Sequence, residues 1–218
     1  MTVKFKAVVI NNQNEKFTRD IKEIDSSHLK DGNVLIKIDY SSLNYKDALI
    51  LKDGGKIVRK FPFVPGIDFS GKVVESDDDK FKKNENVICT GFRVGEMYYG
   101  GFSQFAKVDS NFLIKNPKDI DSEKSMMLGT AGFTALQCSF AIKAREELLL
   151  GEKVNDVLVT GATGGVGSIA VMILSKMGYN VHAVTGKKDK SDYLKDLGAK
   201  NIIDRKEFEG ESKLLEKG

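Results

Sequence analysis

The sequence predicts an α/β chain in two parts, a β-rich barrel or sandwich followed by the first half of a doubly wound parallel sheet. Three observations carry this. Residues 1 to about 120 hold many short alternating stretches punctuated by Gly, Asp and Asn. From residue 156 onward, short apolar runs alternate with helical patterns. A long segment with helical spacing joins the two.

In the first part, Phe5, Ala7 and Val9 alternate with Lys4, Lys6 and Val8, and Val34, Ile36, Ile38 and Tyr40 alternate with Leu35, Lys37 and Asp39. Period-two alternation places one set on each face of a strand. Phe69–Glu75, Asn86–Cys89 and Phe102–Val108 are further strand candidates. Asp121, followed by Ser122, Glu123 and Lys124, reads as a helix N-cap with an acid behind it. Phe133, Leu136, Phe140, Ile142 and Leu148 then recur at helical spacing, so a long linking helix is expected from Gly132 to Leu150.

In the second part, Asp156–Thr160 is a short apolar run, as expected for a strand buried on both faces. A helix is expected over Gly164–Met177 and a strand over Asn180–Thr185. A second helix over Asp189–Leu197 and a strand over Asn201–Asp204 follow. Gly178 and Gly198 stand where helices end in a left-handed residue. The order βαβαβ is half of a doubly wound nucleotide-binding sheet. The expected organisation is 1–120, 121–150 as linking helices, and 151–218. The chain closes with Lys213-Leu214-Leu215-Glu216-Lys217-Gly218 after only one half of such a sheet, so a truncated domain is expected.

Between the first strand and helix of that half lies Thr160-Gly161-Ala162-Thr163-Gly164-Gly165-Val166-Gly167. Its glycines permit a tight turn, a close backbone approach to a pyrophosphate, and close helix–strand packing. The helix start adds unpaired N–H donors and partial positive charge. A lone glycine-rich turn is weak evidence, but here it follows a strand and opens a helix, the context the motif requires. After the second strand the chain reads Thr185-Gly186-Lys187-Lys188. The acid that normally meets a ribose 2′-hydroxyl is missing and two cations are present, which favours NADP(H) over NAD.

Composition removes other classes. Of 218 residues, 41% are hydrophobic, enough for a core. Lys and Arg number 34 against 31 Asp and Glu, a net +3 with no basic stripe, so nucleic acid is not an expected partner. No run approaches the roughly 20 apolar residues of a membrane span, and the first residues lack a secretory signal's apolar core. Cys89 and Cys138 read as reduced thiols of a cytoplasmic protein. With His28 and His182 the only histidines, no metal-ligand spacing exists, and Gly-x-Ser-x-Gly is absent.

Several blocks, in order along the chain, carry a family resemblance. They are Ser41-Ser42-Leu43-Asn44-Tyr45-Lys46-Asp47-Ala48-Leu49, Phe61-Pro62-Phe63-Val64-Pro65-Gly66-Ile67-Asp68-Phe69-Ser70-Gly71, Val94-Gly95-Glu96 with Gly100-Gly101-Phe102, Gly129-Thr130-Ala131-Gly132-Phe133-Thr134-Ala135, the cofactor turn, and Tyr193-Leu194-Lys195-Asp196-Leu197-Gly198-Ala199. On these the chain resembles the medium-chain dehydrogenase/reductase superfamily, in its zinc-free quinone-oxidoreductase branch and the acryloyl-CoA reductase (AcuI/YhdH) group. The resemblance implies a GroES-like β-barrel domain followed by a Rossmann domain. Zinc-dependent relatives carry Cys where this chain has Asn44, and Gly-His-Glu where it has Gly66-Ile67-Asp68, so no metal is implied.

The resemblance further implies NADPH-dependent reduction of a short α,β-unsaturated acyl-CoA, acryloyl-CoA to propionyl-CoA. Quinone or enone reduction, or an inert or merely NADPH-binding fragment, are the alternatives. Asn44, Tyr45 and Asp47 are the implied catalytic candidates. Tyr45 reads equally as a packing aromatic, Asp47 as a structural helix acid, and Lys46 as a solvated cation. Asn44, Thr134, Thr160, Gly161, Thr163, Gly164, Gly165, Val166 and Gly167 are the implied cofactor contacts. Thr185, Lys187 and Tyr193 are implied at the 2′-phosphate. Arg59 or Lys60 offers charge for CoA phosphates. The implied partner is a small-molecule acyl-CoA or quinone, with no nucleic acid or membrane, and a homo-oligomer is allowed for the complete chain.

Overall fold

The structure, a computed structural model, describes residues 3–13, 16–29, 32–54, 56–148 and 154–208. The chain separates between Thr130 and Ala131 into two compact units. That division falls inside the segment expected as a linker. The expected helix end at Leu150 and the terminal stretch Lys213–Gly218 lie outside the described residues.

The first unit opens with an antiparallel hairpin of β1 (Lys4–Gln13) and β2 (Lys16–Asp25), in register from Lys4 opposite Asp25 to Gln13 opposite Lys16. The sequence reading missed β2, because its face is largely solvated and apolar alternation is lost; Ile21 is 74% exposed. A five-stranded antiparallel sheet follows. Its strands are β3 (Val34–Ser41), β4 (Asp68–Ser76), β5 (Asn86–Thr90), β6 (Phe105–Val108) and β7 (Leu113–Lys115), in the order β6-β3-β4-β5-β7. Val34, Ile36, Phe69, Val73, Val87 and Val108 are buried together on one face, as alternation requires. The hairpin makes isolated bridges, Ala7 to Ser103 and Ile10 to Phe63, to the loops that precede β6 and β4. Phe5, Ala7 and Val9 pack there with Leu29 and Val64.

Helix α1 (Tyr45–Asp53) is capped by Asn44 and ends at Gly54, whose φ of 80° is the left-handed conformation glycine adopts without strain. The run α2 (Ser122–Leu148) begins as expected, with the Asp121 carboxylate accepting from the Lys124 amide at 2.8 Å. It breaks at Gly129, where φ is 47° and ψ is −150°.

Two expectations about this helix are corrected. Phe133, Leu136, Phe140 and Leu148 are exposed; Ser125, Met126, Gly132, Ala135 and Ser139 are buried. Ser122–Glu146 is also long and apolar enough to cross a membrane by length and composition alone, and a third of its most apolar 18 residues are buried. Leu, Met, Ala, Phe, Ile and Cys sustain that apolar character, while interleaved Gly, Ser and Thr break up any continuous apolar run, which is why the sequence showed none.

The second unit alternates β8 (Asp156–Val159), α3 (Gly165–Lys176), β9 (Asn180–Thr185), α4 (Ser191–Asp196) and β10 (Ala199–Asp204). The strands are parallel in the order β10-β9-β8, the arrangement of one doubly wound half. Val157, Val159, Val171, Leu174, Val181 and Leu194 form its core. Strand β8 is buried on one face only, Leu158 being 49% exposed, against the expectation of two buried faces. Among the described residues it pairs with β9 alone. The second helix was expected from Asp189; a 3-10 turn over Lys188–Lys190 precedes α4 instead.

Candidate functional site

In the second unit, the chain leaves β8 at Thr160 and turns through Gly161, whose φ of 59° suits glycine. Gly167 lies against the turn so closely that a Cβ there would overlap the Gly161 carbonyl oxygen, and would stand 2.8 Å from Ala162 Cα. That approach holds the start of α3 down onto the turn. Gly164 is the N-cap and no side chain caps the helix. Gly164, Gly165 and Val166 are exposed. An uncapped helix start with exposed amides and no Cβ on three of its first four positions is an anion-binding end. Gly165 lies beside Ala131 of α2, and half-buried Thr134 follows one turn later on that helix.

At the end of β9, Thr163, Lys187, Lys190 and Tyr193 line a cleft of about 590 Å³. Thr185 Oγ1 lies 3.3 Å from Thr163 Oγ1 and accepts from the Lys187 amide at 3.0 Å, which fixes the loop. Of the two cations expected, only Lys187 lines this cleft. Lys188 is drawn away to Asp204, Nζ to Oδ2 at 2.8 Å. Lys190, unremarked in the sequence reading, joins Lys187 because the 3-10 turn brings residues three apart onto one side. The spacing was visible; the 3-10 geometry that gives it meaning was not.

In the first unit, Asn44 donates its side-chain amide to Asp68 Oδ2 at 2.8 Å and to Ser42 Oγ at 3.1 Å. Asp68 is fully buried and also accepts from Ser42 Oγ at 2.6 Å, the Thr130 amide at 2.9 Å and Thr130 Oγ1 at 2.6 Å. Gly129 is required beside it, since a Cβ would stand 2.7 Å from Asp68 Oδ2. Ser42, Asp68 and Thr130 were not picked out as site residues. Two signals were available: an acid inside the apolar stretch Phe63–Phe69, and its place at the position of the Gly-His-Glu acid in zinc-dependent relatives.

Asp47 is also fully buried. Its Oδ2 accepts the Asn44 amide at 2.9 Å and its Oδ1 the Ile67 amide at 3.0 Å. Burial pushes its carboxyl up and these amide bonds partly offset that. With both oxygens on backbone amides, Asp47 fixes the Asn44 and Ile67 segments together and acts as a positioning residue. Tyr45 is 80% exposed at the first position of α1, so it is not a packing aromatic. Lys46 pairs with Glu96 at 2.7 Å. Among the described residues no group of three or more His, Cys, Asp or Glu side chains is arranged to hold a metal ion.

Residues 30–118 match the alcohol dehydrogenase GroES-like domain. Over most of its length the chain is similar to proteins named as acrylyl-CoA reductases and oxidoreductases. It is 44% identical over 206 residues to the acrylyl-CoA reductase AcuI of Ruegeria pomeroyi, covering 94% of this chain and 62% of that protein. The yhdH oxidoreductase of Salmonella enterica, solved in complex with NADP, superposes with a TM-score of 0.89 at 42% identity, over 97% of this chain and 64% of that one. The yhfP protein of Bacillus subtilis, solved with NAD bound, gives 0.89 at 41%, over 99% and 65%. The chain thus spans a little under two thirds of the length of these relatives.

Proposed function

We propose that this chain is the GroES-like part and the first nucleotide-binding half of a cytoplasmic, NADPH-dependent reductase of short α,β-unsaturated acyl-CoA thioesters. The observation that carries the cofactor reading is the uncapped start of α3 behind the Gly161–Gly167 turn, paired with the lysine-lined cleft after β9. A diphosphate fits the first and a ribose 2′-phosphate the second. The Salmonella relative's NADP complex supports the same choice, and the acrylyl-CoA reductase name of the Ruegeria relative supports the substrate class.

In this reading Thr160, Gly161, Gly164, Gly165, Val166 and Gly167 receive the pyrophosphate through backbone amides, with Thr134 beside them. Thr163, Thr185, Lys187, Lys190 and Tyr193 receive the 2′-phosphate. NADPH, when bound, supplies the hydride that the substrate β-carbon takes. Negative charge then builds on the thioester oxygen and the α-carbon, which must be met by donors and a proton. The exposed Tyr45 hydroxyl is a donor of that kind. Asn44, its amide held by Asp68 and its backbone by Asp47, orients the bound partners without titrating. Cys89 and Cys138 are both free, in keeping with a reducing compartment.

The test is turnover of the full-length protein with NADPH and acryloyl-CoA, followed by nicotinamide absorbance, beside a quinone and a simple enone. A higher kcat/KM for acryloyl-CoA supports the proposal. A higher value for the quinone assigns the protein to quinone reduction instead.

A further inference from the structure

The first unit carries a cleft near the start of α1, where Glu96 at its rim pairs with Lys46. Its apolar wall is Ile57, Phe63 and Met97, and its charged rim is Arg59, Lys60 and Arg93. Phe63 is buried and held edge-on by Tyr99 at 5.5 Å. Glu96, also at the rim, is neutralised by Lys46 at 2.7 Å and approached by Arg93 at 3.7 Å. Arg59 and Lys60 are exposed and have no ion-pair partner among the described residues.

The loop that presents Arg93 is strained. Phe92 and Arg93 have φ of 51° and 62°. Left-handed backbone is unfavourable for a bulky residue. Here the Arg93 carbonyl accepts the Met97 amide at 2.9 Å and the Glu96 amide at 3.1 Å, which holds the turn. Strain held in place at a cleft's rim is a feature of ligand clamps.

From these observations we propose that this cleft holds the 3′-phosphoadenosine diphosphate end of coenzyme A. Two guanidinium groups and an ammonium meet its phosphates, and Phe63, Ile57 and Met97 meet its heterocycle. A bare anion has no use for the apolar wall, and a quinone has none for three cations. The inference rests on the acyl-CoA reading and adds the place where the carrier, as distinct from the acyl group, is recognised.

The test is titration of the chain with adenosine 3′,5′-bisphosphate, CoA, dephospho-CoA and inorganic phosphate. Wild type is compared with an Arg59→Ala/Lys60→Ala double variant and with Arg93→Asn, which tolerates the left-handed backbone. All three residues are exposed, and circular dichroism checks that the variants fold. The bisphosphate and CoA are expected to bind wild type better than phosphate or dephospho-CoA. Each variant is expected to weaken that binding on the order of 10-fold, with NADPH affinity unchanged. Bisphosphate binding no better than phosphate, equal binding by the variants, or full displacement by NADPH would overturn the assignment. Reduction of acryloyl-CoA by the full-length protein, with KM unmoved in the double variant, sinks the cleft and leaves the reductase reading intact. Cleft-dependent CoA binding without reduction does the reverse.

Discussion

The side-chain amide of Asn44 and the carboxylate of Asp68 lie 2.8 Å apart, and the same Asp68 oxygen takes the Thr130 amide at 2.9 Å. A buried carboxylate thus ties the start of α1 to the break in α2. Replacing it by an amide sets an NH₂ group among donors. Asp68→Asn is expected to cost about 1–3 kcal/mol of stability, read from urea unfolding, whereas Tyr45→Phe at an exposed position should leave the midpoint unchanged.

Gly167 is expected to tolerate no side chain. A Cβ meets the Gly161 carbonyl and Ala162 Cα, both backbone atoms. Either the helix start lifts or the turn opens. Gly167→Ala should cost about 1–3 kcal/mol and abolish NADPH binding in a fluorescence titration. Gly178→Ala, where nothing lies within 4 Å of the added atom, should also cost stability through its φ of 92° but leave NADPH affinity unchanged.

The second unit was largely legible in the sequence because its signals are local. The Gly161–Gly167 turn, the apolar strand cores and the helix-ending glycines Gly178 and Gly198 each act within a few residues. What escaped notice depends on the fold. Asp68 binds Thr130, 62 residues away in sequence. Lys188 and Lys190 exchange the roles their order suggests, because Asp204 on the neighbouring strand claims the first. Asp47 was visible as a helix-start acid, but its second partner, the Ile67 amide, lies 20 residues away.

The Lys188–Asp204 pair gives a pH dependence of definite sign. Lys188 holds the Asp204 carboxyl below the usual carboxylate range. A lowered folded pKa contributes stability above the unfolded value of about 3.9, lost as pH falls through the folded value. Lys188→Ala should lower the urea midpoint at pH 7, with the difference from wild type vanishing toward pH 2. NADPH affinity should be unchanged, since this lysine does not line the cleft.

The two cysteines should differ sharply in reactivity. Cys89 is buried in the β-sheet core, and burial with the nearby Asp68 carboxylate pushes its thiol up to about 12. Cys138 is exposed on α2. Iodoacetamide at pH 8, read by mass spectrometry, should modify Cys138 in the native chain and Cys89 only after unfolding.

The most direct test of the central claim is the ratio of NADPH to NADH affinity, for wild type and Lys190→Ala, measured by nicotinamide fluorescence. NADPH should bind at least about 10-fold more tightly to wild type, and Lys190→Ala should erase most of that margin while leaving NADH binding as it was. Equal affinities in wild type, or a margin that survives loss of Lys190, would contradict the assignment of the cleft after β9 to the 2′-phosphate.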